Sequence, residues 1–188
     1  MKNIFDFYNS KKEVFLNNFE GAILKKYHFN REDIFFIEGI RREGKTYTGA
    51  IIILYEVYKL LKKGNSAKYY GIISEETITL IFKVINNEEK QKVSRLIESM
   101  LKKSKFLKNC LCYNIDRGFL FGGKSNFIRI LISTYDEGEV CDSAILCVVL
   151  DDFDEDNVNH NEVFKSVYPC IQVFGRDGRI IKIKNSNS

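Results

Sequence analysis

Apolar and polar positions change period several times along the chain. From Ile4 to Lys26 the apolar residues fall at Ile4, Phe7, Tyr8, Val14, Phe15, Phe19, Ile23 and Leu24, a helical spacing with a break at Asn9-Ser10. Asp33 to Glu38 is a short apolar run closed by Gly39 and predicts a buried strand. Lys45 to Lys63 predicts a long helix stopped by Gly64-Asn65. Lys68 to Ile73 predicts a second strand, with Ser74 as N-cap of a following helix and Glu75 and Glu76 in its first turn. Glu88 to Lys103 is amphipathic, with Val93, Leu96, Ile97 and Met100 on one face. Cys110 to Ile115 and Gly118 to Phe121 predict a hairpin around Asp116-Arg117, and Phe127 to Ser133 a strand. Ala144 to Leu150 is the most apolar strand and is expected at the centre of the sheet. Val163 to Tyr168 predicts a short helix. Arg179 to Lys184 alternates and predicts a strand nearer an edge, or one with a polar face. Strands alternating with helices predict a three-layer α/β sandwich with a largely parallel sheet. No repeat or linker divides the chain, so one domain is expected over 1–188, with residues 1–30 as a helical N-terminal segment.

Composition narrows the class. The 188 residues are 45% hydrophobic and 29% charged, a globular balance. Lys+Arg 29 against Asp+Glu 25 leaves +4, which permits a polyanionic partner without demanding one. No apolar run approaches the roughly 18 residues that span a bilayer, and the N-terminus lacks the uninterrupted apolar stretch of a secretory signal. Cys110, Cys112, Cys141, Cys147 and Cys170 are odd in number and scattered. Cys110 and Cys112 have no second pair and no nearby His, so buried free thiols in a reducing, cytoplasmic compartment are expected rather than zinc.

Between the first strand and the long helix stands Gly39-Ile40-Arg41-Arg42-Glu43-Gly44-Lys45-Thr46, the pattern G-x-x-x-x-G-K-T in its required strand-to-helix context. Glycines let the backbone wrap closely around phosphates. Successive N–H groups and the helix N-terminus present positive charge to a di- or triphosphate. Residues 39 and 41–47 (Gly39, Arg41, Arg42, Glu43, Gly44, Lys45, Thr46, Tyr47) are the expected ATP cradle, with Lys45 reaching the β- and γ-phosphates and Thr46 placing a hydroxyl on Mg²⁺. A second requirement is a metal-binding acid at the end of a neighbouring strand. The run AILCVVLDD supplies Asp151 for the Mg²⁺ shell and Asp152, one methylene shorter than the commoner Glu, for orienting and deprotonating the attacking water. Asp154 and Glu155 follow as secondary candidates. Arg41 and Arg42 lie where a guanidinium could stabilise γ-phosphate charge, and Asn185-Ser186 at the tip of the last strand could sense it.

With those residues in place, the chain resembles the ATPase domain of viral DNA-packaging motors, the large terminases and the related packaging ATPases of small tailed phages. The carriers are IEGIRREGKTYTGA, ISTYDEGEVCDSAILCVVLDDF and RIIKIKNSNS. In that family an arginine stands three residues before the final loop glycine, where this chain has Arg41. A stretch like S-x-x-D/E precedes the acidic strand, where this chain has ILISTYDEGEVCD, and a small polar coupling motif follows an apolar strand, as Asn185-Ser186 does. The departures are Asp152 in place of Glu, no upstream Gln for adenine (the glutamines are Gln91 and Gln172), and no RNase-H-like nuclease.

The resemblance implies an ASCE-type P-loop NTPase. It implies a motor that hydrolyses Mg·ATP to drive double-stranded DNA into a procapsid, working as a homo-oligomeric ring against a portal protein. The isolated chain is expected to rest as a monomer, and Arg176 is a candidate finger reaching a neighbour's γ-phosphate. Two other classes share the phosphate loop: a nucleotide kinase or helicase-like ATPase, and a nucleotide-gated switch that does not hydrolyse. The absence of an arginine-rich lid and the tandem acids argue against the kinase.

Overall fold

A computed structural model describes residues 18–30, 32–40, 44–64, 66–72, 77–115, 118–122, 127–137 and 144–185. Seven strands form one sheet in the order β1-β7-β6-β2-β5-β4-β3. They are β1 (Ile34–Gly39), β2 (Ile78–Val84), β3 (Leu111–Ile115), β4 (Gly118–Gly122), β5 (Phe127–Thr134), β6 (Ala144–Leu150) and β7 (Arg179–Asn185). The first five in spatial order, β1 to β5 across the sheet, run parallel. The expected hairpin β3-β4 extends the sheet antiparallel beyond β5. The helices are α1 (Asn18–Phe29), α2 (Lys45–Lys63), α3 (Ser66–Tyr70), α4 (Asn87–Lys103), α5 (Lys105–Cys110) and α6 (Val158–Gln172).

Alternation along the strands divides the core between two faces. Leu80, Phe82, Val149, Ile181 and Ile183 meet Leu24 of α1, the apolar face of α2, and Val93, Ile97 and Leu101 of α4. Ile81, Val148, Leu150 and Ile180 point the other way, against Val163, Val167 and Ile171 of α6. Each fully buried aliphatic side chain of this kind contributes about 1.5–3 kcal/mol. Three layers result, and β6 lies inside the sheet as its composition predicts. Helix α2 presses on the sheet through Gly49: a Cβ there would lie 2.9 Å from Ile183 Cδ1 and 3.1 Å from Val149 Cγ1.

Several expectations need correction. Residues 66–70 form the short helix α3, not a strand, and Ser66 Oγ donates to Leu60 O at 2.8 Å. The second strand is Ile78–Val84, where a helix was expected to run on from residues 74–76; all seven of its residues are buried, so it has no polar face to betray its period. Helix α6 is longer than predicted because Asn157 caps it, its side chain accepting from Asn159 N and His160 N. Strand β7 is internal, between β1 and β6, and β1 is the outer strand. The polar residue that suggested an edge, Lys182, is buried with its ammonium 3.8 Å from the Phe164 ring centroid and 4.2 Å from that of Phe153. The N-terminal helical reading before residue 18, the Ser74 cap, Asp116-Arg117 and Cys141 lie outside the described residues.

Candidate functional site

Strand β1 ends at Gly39, level with Asn185 of β7. Helix α2 starts six residues later, after Gly44 at φ 85°, a left-handed conformation that suits glycine. A side chain at Gly44 has no room either, because a Cβ would stand 2.5 Å from Glu20 Oε1 on α1. The first α2 residue, Lys45, is buried, and its ammonium donates to the carbonyls of Gly39 at 2.8 Å and Ile40 at 2.6 Å. Its charge is thus held at the mouth of the loop by neutral acceptors that a phosphate would outcompete. Thr48 donates to Gly44 O through both its amide and its hydroxyl, at 2.9 Å each, which fixes the first helical turn. Tyr47 packs against the main core. Arg41, Arg42 and Glu43 lie outside the described residues.

The acids arrive from β6, with only β7 between that strand and β1. Thr46 Oγ1 donates to Asp151 Oδ2 at 2.9 Å, across 105 residues of sequence. Asp151 Oδ1 is buried and has no hydrogen-bond partner among the described residues. Burial pushes the Asp151 carboxyl up to about 7; the Thr46 bond opposes this and the neighbouring Asp152 adds to it. Asp152 is left-handed, at φ 50°, and its Oδ1 accepts from Asn185 Nδ2. Asp154 Oδ1 accepts from Asp156 N at 3.0 Å, and Glu155 pairs with Lys184, so both secondary candidates are engaged within their own loop or with the β7 tip.

Three residues at this site were not singled out from the sequence. Tyr135 donates its hydroxyl to Asp151 O at 2.9 Å. Its ring stacks on His160, with centroids 3.7 Å apart, and His160 Nδ1 accepts from Asp154 N at 3.0 Å. Burial pushes the Tyr135 phenol up and the His160 imidazole down, so both stay neutral partners. Lys83 is fully buried on β2, and its ammonium donates to Thr134 O and Glu137 O at 2.8 Å each, tying down the turn that carries Tyr135. No sequence signal marks the Tyr135–Asp151 and Lys83–Thr134 contacts, because each joins separate elements, 16 and 51 residues apart.

The donor set fits Mg²⁺. Thr46 hydroxyl and Asp151 carboxylate are hard oxygen donors, and the orphaned buried Oδ1 is the lone-pair site a cation would satisfy. Among the described residues no group of three His, Cys, Asp or Glu forms a cage. Arg176 is exposed in the turn Gly175–Asp177, before β7, at the far end of that strand from Asn185, roughly 20 Å away by strand rise.

No protein-family model and no curated protein matches the chain. Solved structures do. The HK97 bacteriophage large terminase superposes with a TM-score of 0.59 and 14% identity, over 91% of this chain and 33% of that one. The ATPase domain of the Thermus phage P74-26 large terminase gives 0.57 and 12%, over 98% of this chain and 70% of that one. A point mutant of the same domain gives 0.62 and 11% over the same shares. The fold is that of a large-terminase ATPase domain. This chain spans a third of the HK97 terminase. Within the terminase-like fold, β1 with the glycine-flanked loop that follows it, the polar-tipped β7 and the acidic β6 stand side by side, which brings Lys45, Thr46, Asp151, Asp152 and Asn185 to one end of the sheet. No helix among the described residues is long and apolar enough to cross a membrane.

Proposed function

We propose that this chain is a Mg·ATP-hydrolysing motor domain that moves double-stranded DNA into a viral procapsid, acting as one domain of a homo-oligomeric ring seated on a portal protein. The observation that carries the reading is the contact of Thr46 with Asp151, whose other carboxylate oxygen is buried and unpartnered beside the phosphate loop. Thr46 and Asp151 would hold Mg²⁺, which neutralises phosphate charge when bound. Lys45 exchanges its loop carbonyls for the β- and γ-phosphates. Asp152 accepts the proton of the attacking water, with Asn185 orienting its carboxylate and registering the γ-phosphate state. Arg41 stabilises transition-state charge. A net +4 gives one subunit weak attraction for DNA, so a ring multiplies it through effective concentration.

The test is ATP turnover with and without duplex DNA, in the parent, Lys45→Ala and Asp152→Asn. DNA-stimulated turnover is expected in the parent. Lys45→Ala should lose about 100-fold or more, the scale of removing a preorganised charge donor. Asp152→Asn should bind ATP and hydrolyse it slowly. ATP binding without turnover in the parent would favour the nucleotide-gated switch, and Lys45→Ala turning over at the parent rate would remove the phosphate-loop assignment.

A further inference from the structure

The net charge of +4 is not spread along the chain. Residues 99–115 hold Lys102, Lys103, Lys105 and Lys108 and no Asp or Glu. With Lys+Arg 29 against Asp+Glu 25 in the whole chain, everything outside that stretch is neutral. The fold turns the stretch into a corner. Helix α4 ends at Lys103 and α5 starts at Lys105. Between them Ser104 is buried, donates its N–H to Leu101 O at 2.9 Å and accepts from Leu107 N at 3.2 Å. Leu101 and Leu107 are buried on either side, and Lys103, Lys105 and Lys108 are left exposed. Lys105 and Lys108 stand three apart on α5 and so share a face. A fourth cation joins them from the end of α2: Lys62 is exposed, with its ammonium 4.5 Å from the ring centroid of Phe106 on α5. A ring holds an ammonium without cancelling its charge. Lys102 is matched by Glu98 at 2.9 Å, whereas Lys62, Lys103, Lys105 and Lys108 make no ion pair among the described residues. Lys62 lies seventeen residues along α2 from Lys45, about 25 Å at the helical rise, so the cluster is remote from the phosphate loop.

Like charges gathered on one face attract a partner with repeated negative charge. None of the exposed large hydrophobic residues falls between 99 and 112. The patch therefore offers neither an apolar wedge for lipid nor an open ring platform for unpaired bases. What it offers is sequence-independent contact with phosphates. We propose that this corner, with Lys62, is a contact surface for the phosphate backbone of double-stranded DNA. The choice of DNA among polyanions rests on the packaging reading; the lysine cluster does not.

The test is fluorescence anisotropy of a labelled duplex of about 20 base pairs with the whole chain, without ATP, from about 50 to 200 mM NaCl. At about 0.9 counterions released per phosphate contacted, four lysines predict a parent affinity that falls about 100-fold over that range. Lys105→Gln/Lys108→Gln removes two contacts, so its affinity should start weaker and fall only about tenfold. Lys105→Arg/Lys108→Arg should keep the parent's salt dependence. Lys25→Gln/Lys165→Gln, equal in charge loss and exposed elsewhere, should keep it too. ATP turnover without DNA should be unchanged in every variant, and its stimulation by duplex should drop in Lys105→Gln/Lys108→Gln. A parent that does not bind duplex in the lowest salt overturns the proposal. So does a Lys25→Gln/Lys165→Gln chain that loses as much salt dependence as Lys105→Gln/Lys108→Gln. Tighter binding of dT20, or of phosphatidylserine vesicles, than of duplex overturns the assignment to double-stranded DNA. A parent without ATP turnover whose duplex binding still depends on Lys105 and Lys108 sinks the motor reading and leaves this surface standing.

Discussion

Replacing Asp151 by Asn should stabilise the metal-free protein at alkaline pH. The carboxyl has an ordinary value of 3.8 and titrates at about 7 in the folded chain, because burial disfavours its charge. At 1.36 kcal/mol per pH unit, ionising it in the fold costs about 4 kcal/mol more than ionising it in the unfolded chain. The sign follows from proton counts. Between pH 4 and 7 the folded state holds a proton that the unfolded state has released, so stability falls as pH rises through that window and stays low above it. Asn keeps an oxygen for the Thr46 hydroxyl and carries no charge. Urea unfolding followed by far-UV circular dichroism in EDTA is the assay. At pH 8.5 Asp151→Asn should exceed the parent by about 2–4 kcal/mol, a midpoint shift of about 1–2 M at an m-value near 2 kcal/mol/M. At pH 4.5 the two should nearly coincide. Added Mg²⁺ should raise the parent midpoint and leave the variant where it was. A parent-minus-variant difference that does not change with pH would refute the burial argument, and a variant less stable than the parent at pH 8.5 would reverse it.

Other substitutions probe the same neighbourhood. Gly49→Val drives a side chain into Ile183 and Val149 and should cost about 1–3 kcal/mol in urea, enough to distinguish close packing from a loose α2–sheet contact. Tyr135→Phe keeps the ring stack on His160 and deletes only the hydroxyl bond to Asp151 O, so a loss of about 1 kcal/mol is expected; no loss would mean the bond is not formed in solution. Asp152→Glu should raise ATP turnover by lengthening the arm that reaches water, while costing up to about 1 kcal/mol because the left-handed φ suits Asp better. Unchanged turnover in a steady-state ATPase assay would remove the short-arm explanation.

The parts of the site written in consecutive residues were legible in the sequence. Gly39 to Thr46 and the apolar run into Asp151 and Asp152 stand out by local spacing, and the fold brings Thr46 within a hydrogen bond of Asp151. Asn185 was legible as a polar strand tip, but not its grip on Asp152, which depends on β7 inserting beside β6. Strand β2 was missed because Thr79 and Lys83 are buried with everything else, leaving no alternation to read. The KYYGII run misled in the opposite direction: its tyrosines serve α3, where Tyr70 meets Phe174 and Asp177 from the far end of the chain. Arg179 read as half of an alternating strand, because its burial beside the Asp33 carboxylate is a property of assembled surroundings rather than of composition.

Strand β1 has one lateral neighbour among the described residues, β7, and that neighbour also carries Asn185. The route from Gly39 to Asp152 through β7 is therefore serial, beside the direct bond of Thr46 to Asp151. A displacement of Gly39 passes first to the residue beside it in register, and from that residue to the carboxylate of Asp152. A chain of two links transmits only what its weaker joint can bear, and here that joint is a single amide resting on a backbone already wound the uncommon way. Slackening it would release Asp152 from the β1 end of the sheet while Thr46 still holds Asp151, so the two neighbouring acids answer to different strands.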